Sequence, residues 1–257
     1  MQNDNPYEIE SSAYTVDSRS RTSSSSLSWM RGFVQAVRHP EHMDALRHAN
    51  VWKIYAAESL LIAMAYTLTS WMAWLVPALR AQMIHLLELM PGTQSAVALT
   101  REHFPWPSAL GSTLVQTGLV GLGVQSLMMW TIQRIVCAQP LRMLAVLGVT
   151  SFTASISVVG YVLTVAVQVA GGSMTLGFSP APFFDINTQP FLVTYLQKFD
   201  LFLLWQYLVI GVSIAAFANQ SRAKGFLVGA LGVTMHAMFS ASLAYVGYQI
   251  YQTMKLP

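Results

Sequence analysis

Charge is scarce in this sequence: 10% of its 257 residues are Asp, Glu, Lys or Arg, against roughly a quarter in an ordinary soluble domain. That scarcity excludes a surface wetted on all sides. Cysteine is nearly absent too, and the lone Cys137 leaves neither an intrachain disulfide framework nor a Cys-based zinc site. The net charge is +3, yet the basic residues are spread singly through short connections, without the stripe that nucleic-acid binding needs. No glycine-rich phosphate loop ending in Lys and Ser or Thr, no HExxH and no nucleophile elbow occurs, so an enzyme is not expected and no catalytic residue or cofactor is assigned. His39 and His42 are split by Pro40, while His85 and His103 belong to a different connection; no metal site is expected from them.

What abounds is apolar. Hydrophobic residues make up 54% of the chain, and the mean hydropathy is +0.46. Uncharged runs longer than about 18 residues suit a hydrocarbon core about 30 Å thick, because each helical residue rises about 1.5 Å. The expected fold is therefore all-α, a polytopic membrane helical bundle with about five transmembrane helices and an N-terminal interfacial amphipathic helix. Residues 1–27 hold Glu8, Glu10, Asp17 and a serine run from Ser23 to Ser26 with no apolar signal-peptide core, and read as a disordered cytoplasmic tail. Residues 28–50 place Trp29, Phe33, Val34 and Val37 at helical spacing, with Arg31 and Arg38 set apart, the pattern of a helix lying on a membrane surface and interrupted near Pro40. Residues 51–257 form the membrane domain.

The first span is expected from Ile54 to Leu79, with Trp71 and Trp74 at an aromatic belt followed by Pro77 and Arg80. In the polar interval from Ala81 to Pro107, Met83, Ile84, Leu87 and Met90 outline a short amphipathic helix stopped by Pro91 and Gly92. The second span, Ser108 to Ile132, carries Gly111, Gly118, Gly121 and Gly123, which let backbones approach closely. The third, Met143 to Ala170, is rich in hydroxyls (Thr150, Ser151, Thr153, Ser155 and Ser157) that can bond carbonyls of the preceding turn, and should face other helices. A loop from Gly171 to about Gln197 leads to a fourth span, Phe199 to Ala218, and a short turn to a fifth, Gly225 to Tyr251, its antiparallel neighbour. With the N-terminus inside, Arg19, Arg21, Arg31, Arg38, Arg47, Lys53, Arg134, Arg142, Arg222 and Lys224 fall on the cytoplasmic side. Only Arg80, Arg101, Lys198 and Lys255 fall outside. This bias implies a cytoplasmic N-terminus and an external C-terminus.

The stretch Phe33-Val34-Gln35-Ala36-Val37-Arg38-His39-Pro40 resembles the interfacial lead-in of bacterial Yip1-domain proteins. Lys198-Phe199-Asp200-Leu201-Phe202-Leu203-Leu204-Trp205, followed by Ile210-Gly211 and Ser221-Arg222-Ala223-Lys224, resembles the family's segment around its fourth span. The resemblance covers residues 29 to about 250 through loose hydrophobic patterns. It implies five spans, a cytoplasmic N-terminus and a bacterial cytoplasmic (inner) membrane, without a generally assigned reaction. Eukaryotic relatives are linked to vesicle traffic and small GTPases, but their short acidic aromatic motif before the first span is not evident here, so a GTPase partner is not carried over.

The candidate site residues are the polar groups expected within or at the edge of the membrane: Glu58, Gln116, Gln125, Asp200 and His236. An unpaired carboxylate at Glu58 is costly and must snorkel, take a proton or find a partner. It can form an ion or proton site, or an interfacial pair with Lys53 or another base, and the pair is favoured. Asp200 opens the fourth span, where capping the helix and meeting its dipole is favoured over chemistry; Lys198 beside it can pair with it or reach the headgroups. His236, near the middle of the fifth span, needs a hydrogen-bond partner, and a structural bond between helices is favoured over a proton relay. Gln116 and Gln125 require bonding inside the bundle or a wet cavity, interhelical bonding being favoured. Gly225 and Gly229 have spacing that serves either dimerisation or packing within one chain. Fourteen methionines, including Met128 and Met129, read as adaptable packing.

The functional expectation is a non-enzymatic, Yip1-like multi-pass membrane protein that acts as a scaffold or organiser. Its partners would be membrane lipids, other membrane proteins or further copies of itself. The alternative is a small transporter or channel subunit in which Glu58, Gln116, Gln125 and His236 line one polar pathway. A membrane-embedded enzyme would require those groups to converge on one cavity.

Overall fold

A computed structural model describes residues 50–88, 103–138, 141–174, 176–184 and 190–254, and among these every regular element is helical. The tail at 1–27 and the surface helix expected over 28–50, save Asn50, lie outside the described residues, as does Met90.

Helix α1, Val51–Leu75, begins where the Asn50 side chain accepts hydrogen bonds from the backbone N–H groups of Trp52 (3.1 Å) and Lys53 (3.3 Å), satisfying donors that the first turn otherwise leaves free. The expected continuation of this span to Leu79 does not occur. Val76 is extended (φ −86, ψ 114) and the chain turns by 111° into α2, Pro77–Glu88. Pro77 is the cause: it disfavours helical backbone at the preceding residue, lacks an N–H, and is pre-shaped for the first position of a new helix. The short amphipathic helix thus starts at Pro77 rather than after Ala81.

Helix α3, Trp106–Thr113, passes without interruption into a π-helical segment, Leu114–Gly121, and then into α4, Leu122–Val136. Helix α5, Met143–Gly171, ends at Gly172, whose left-handed backbone (φ 65) closes the last turn. The long loop expected up to Gln197 is a loop only in part. It contains a 3₁₀ turn, Ala181–Phe183, and helix α6, Pro190–Gln197. The correction has an apolar origin: Val193 is buried, Phe191 meets Tyr245 edge to face at 6.4 Å, and Tyr195 meets Phe199 at 5.1 Å. Helix α7 spans Leu201–Phe217 and α8 spans Arg222–Met254, joined by a turn in which Asn219 is left-handed (φ 51).

Trp106–Val136, Met143–Gly171 and Arg222–Leu243 are each long and apolar enough to cross a membrane. The two bent pairs, α1 with Pro77–His85 and Phe191–Gln197 with α7 (60°), raise the number from three to five if each pair is one span. An all-helical bundle with three to five candidate membrane spans is the result, with α5 the most buried of the three long helices, as its hydroxyl-rich sequence implied.

The rods alternate between two ends. At one end Val51 packs on the Gly148 backbone, and Lys224 lies within electrostatic reach of Cys137. At the other, Trp71 meets Trp106 (5.4 Å), Trp74 meets Phe104 (6.4 Å), and Arg80 lies 5.0 Å over the Trp74 ring. Gln82 ties α2 to the same end by donating to the Gly172 carbonyl (3.1 Å) and accepting from the Met174 N–H (2.9 Å). Lys53, Arg134, Arg142, Arg222 and Lys224 therefore gather near the first end, while Arg80 and Lys198 lie near the second.

Packing is tightest between α7 and α8. A side chain at Gly225 would meet the Val212 Cα at 2.7 Å, and one at Gly229 would meet the Tyr207 carbonyl oxygen at 2.6 Å. The Gly225/Gly229 spacing is thus used within the chain. Around it lies a core of Met129, Ile132, Val146, Val149, Tyr207, Ile210, Ile214 and Val228. A second close approach joins α1 to the π segment, where a Cβ on Gly118 would lie 2.8 Å from the Ser59 carbonyl oxygen. Gly111, expected to pack likewise, has nothing within 4 Å.

Candidate functional site

Asp200 behaves as a cap. Its Oδ1 accepts from the N–H groups of Phe202 (2.9 Å) and Leu203 (3.4 Å) at the start of α7, and no ion pair joins it to Lys198 among the described residues. Asp200→Ala should destabilise the protein by about 1 kcal/mol, whereas Asp200→Asn, which keeps the acceptor, should cost much less. Thermal melts of the two variants in the same detergent check this.

Glu58 departs from the favoured interfacial pair. Residue 58 is seven positions into α1, about 10 Å along its axis, and its side chain is 2% exposed. Lys53 is exposed and makes no ion pair with it. Instead the Ser155 hydroxyl of α5 donates between the two carboxyl oxygens, at 3.2 and 3.1 Å. Ile62, Leu122 and Ala154 pack together beside this contact. That cluster fixes a level at which α1, the π segment with α4, and α5 meet. Ser59 and Ser151 are fully buried, and their hydroxyls have no hydrogen-bond partner.

His236 on α8 shares a hydrogen bond of 2.6 Å with the Tyr207 hydroxyl on α7, through Nδ1, the two rings meeting edge to face at 5.7 Å. Tyr207 is fully buried, so this bond satisfies a phenol and an imidazole that hydrocarbon would otherwise strand. Gln125 of α4 is 7% exposed and approaches the same hydroxyl without reaching hydrogen-bond geometry, leaving its Nε2 unpartnered. The expected interhelical bond of Gln125 is therefore incomplete. Gln116, in the π segment, is exposed on the outside of the bundle. Its expected bonding within the bundle does not occur, because the π turns direct Gly118, two residues on, against α1 instead.

Several polar contacts were not singled out from the sequence. Ser157 donates to the side-chain oxygen of Gln206, joining α5 to α7. Gln133 donates to the Leu141 carbonyl and accepts from the Leu141 N–H, both at 2.9 Å, clamping the connection between α4 and α5. Gln168 donates to the carbonyls of Met174 (2.9 Å) and Leu176 (3.0 Å). A glutamine carries both donor and acceptor and can close a peptide group by itself; that property in an apolar run is the signal available beforehand. Thr150 and Thr153 bond Val146 and Val149 carbonyls of their own helix, as expected.

The polar candidates thus fall into separate contacts: Glu58 with Ser155, His236 with Tyr207, and Asp200 on its own helix. Among the described residues, no three His, Cys, Asp or Glu side chains gather in a way that could hold a metal ion. Comparison with protein families, with curated proteins and with solved structures finds no match to this chain.

Proposed function

We propose that this chain is a non-enzymatic five-span membrane protein that serves as a scaffold or organiser of membrane proteins or lipids, in keeping with its Yip1-like sequence pattern. The observation that carries this reading is where the polar side chains are spent. Ser155 to Glu58, Ser157 to Gln206 and Tyr207 to His236 are bonds between helices, and Gln116, which a pathway would need in its wall, faces outward. Bonds of this kind hold a bundle together in lipid. The test is recovery from native membranes in lipid nanodiscs, with cross-linking and mass spectrometry, alongside reconstitution into vesicles. Defined oligomers, bound membrane proteins or altered lipid order are the expected outcomes. A monomer without these effects, whose vesicles conduct ions in a manner abolished by His236→Ala, would transfer the case to the transporter reading.

In the proposed orientation the end carrying Lys53, Arg134, Arg142, Arg222 and Lys224 is cytoplasmic in a bacterial inner membrane, and the C-terminus is external. Introduced cysteines can map this because the native thiol is silent. Cys137 is 4% exposed; burial pushes its pKa up, with the Lys224 ammonium pulling it partly back. A raised thiol pKa leaves less thiolate at neutral pH. Cys137 should therefore resist an impermeant maleimide in the folded protein and react once SDS unfolds it. Labelling of both chain ends from one compartment would overturn the five-span arrangement.

A further inference from the structure

We propose that Glu58 is one wall of a binding site for a single positive charge, a proton or a sodium-sized cation, built with the hydroxyls of Ser155, Ser59 and Ser151 where three helices meet. An ionised carboxylate offers about four acceptor positions, yet Glu58, at 2% exposure, receives one hydroxyl. A buried anion so poorly supplied with donors must be matched by positive charge or neutralised.

Among the described residues the chain supplies no such charge. On α1 the other titratable groups are Lys53, exposed toward the end of the bundle, Tyr55, whose hydroxyl donates to the Leu119 carbonyl, and Tyr66, stacked on Tyr161 of α5. Helix α5 carries Tyr161 as its one titratable side chain, and Trp106–Val136 carries Arg134, which lies 4.7 Å over the Trp130 ring. No basic group among these described residues pairs with Glu58, and the balancing charge is assigned to solution.

Two of the three stranded hydroxyls among the described residues lie near this level, the third being Thr67, two turns farther along α1. Ser151 lies one turn before Ser155 on the same stripe of α5, and Ser59 adjoins Glu58 where α1 presses on Gly118; both are fully buried and neither has a partner. Buried hydroxyls are ordinarily bonded. Oxygens from one carboxylate and several hydroxyls suit a hard monovalent cation, and the same hydroxyls can bond a protonated carboxyl. Neither thiolate nor imidazole, which a softer metal would favour, is in this set. The site lies about 10 Å along α1 from its start.

The experiment uses the full chain in neutral-lipid nanodiscs, with sodium chloride exchanged for choline chloride at constant ionic strength between about pH 5 and pH 9. Infrared difference spectra follow the carboxylic-acid carbonyl stretch, and thermal melts run in parallel. If the charge is a proton, wild type shows an acid carbonyl band at neutral pH, unaffected by sodium and absent from Glu58→Gln. If it is sodium, the melting midpoint at alkaline pH rises by about 4 °C per tenfold increase in free sodium. That rise is lost in Glu58→Gln and weakened about tenfold in apparent affinity in Ser151→Ala. Should Glu58→Gln fail to fold, Ser155→Ala assigns the band, because removing the donor to Glu58 shifts its frequency without removing the carboxyl. Wild-type protein with no acid band at any pH and identical melts in sodium and choline would overturn the proposal, whatever the outcome of the oligomer and vesicle experiments above.

Discussion

Gly229→Ala is expected to destabilise this protein, although alanine is the better helix former. Intrinsic propensity alone predicts a gain of about 1 kcal/mol for glycine replaced in a helix interior. The α7/α8 contact predicts the opposite, since the new methyl would lie 2.6 Å from the Tyr207 carbonyl oxygen and 3.0 Å from the Leu208 Cα. Backbone cannot swing aside as a side-chain tip can, so the helices must separate. Separation would also strain the Tyr207–His236 bond, whose two ends ride on those helices. We expect a loss of about 2 kcal/mol for Gly229→Ala and about 3 kcal/mol or more for Gly229→Val. Gly111→Ala, introduced into open space within a helix, is the internal control and should show the propensity gain, up to about 1 kcal/mol. Reversible unfolding in mixed micelles measures all three; a Gly229→Ala protein as stable as wild type would mean that α7 and α8 do not touch as described.

The second large effect is expected at Gln133. Its side chain is fully buried and makes two hydrogen bonds of 2.9 Å to the backbone of Leu141. Gln133→Leu keeps much of the volume but removes the partner of an N–H and a carbonyl at half-buried Leu141, in the connection between α4 and α5. The expected loss is about 1 to 2 kcal/mol, because two hydrogen bonds are lost together and water reaches the half-buried groups only in part. Gln133→Glu separates shape from donor chemistry: it retains the acceptor for the Leu141 N–H, and when ionised it loses the donor to the carbonyl. It should therefore be destabilised too. Amide exchange at Leu141, faster in both variants than in wild type, would locate the damage at this clamp.

Residues whose partners are near in sequence were legible. Asp200 meets N–H groups two and three positions ahead, which the carboxylate and the helix start by themselves dictate. Thr150 and Thr153 bond carbonyls one turn back for the same reason. Pro77 was placed inside a span running on to Leu79 and not at a 111° corner, because whether and where a helix turns at a proline depends on what the next helix packs against. Glu58 was read as an interfacial group since Lys53 is its sequence neighbour, while its partner stands 97 positions away on α5. Helix α6 was hidden because eight residues are too few for periodicity to distinguish helix from loop; its burial against α8 decided the matter.

From the sequence alone came the class of molecule. Apolar runs of membrane length lie where no water can satisfy their backbones, so each must close its own hydrogen bonds as a helix. The tertiary structure alone decided how each helix is rotated about its axis. Rotation is governed by close contacts between distant segments, such as Gly118 on Ser59 and Gly229 on Tyr207. Those contacts turned Gln116 outward and Glu58 inward, though both residues lie in equally greasy surroundings along the chain.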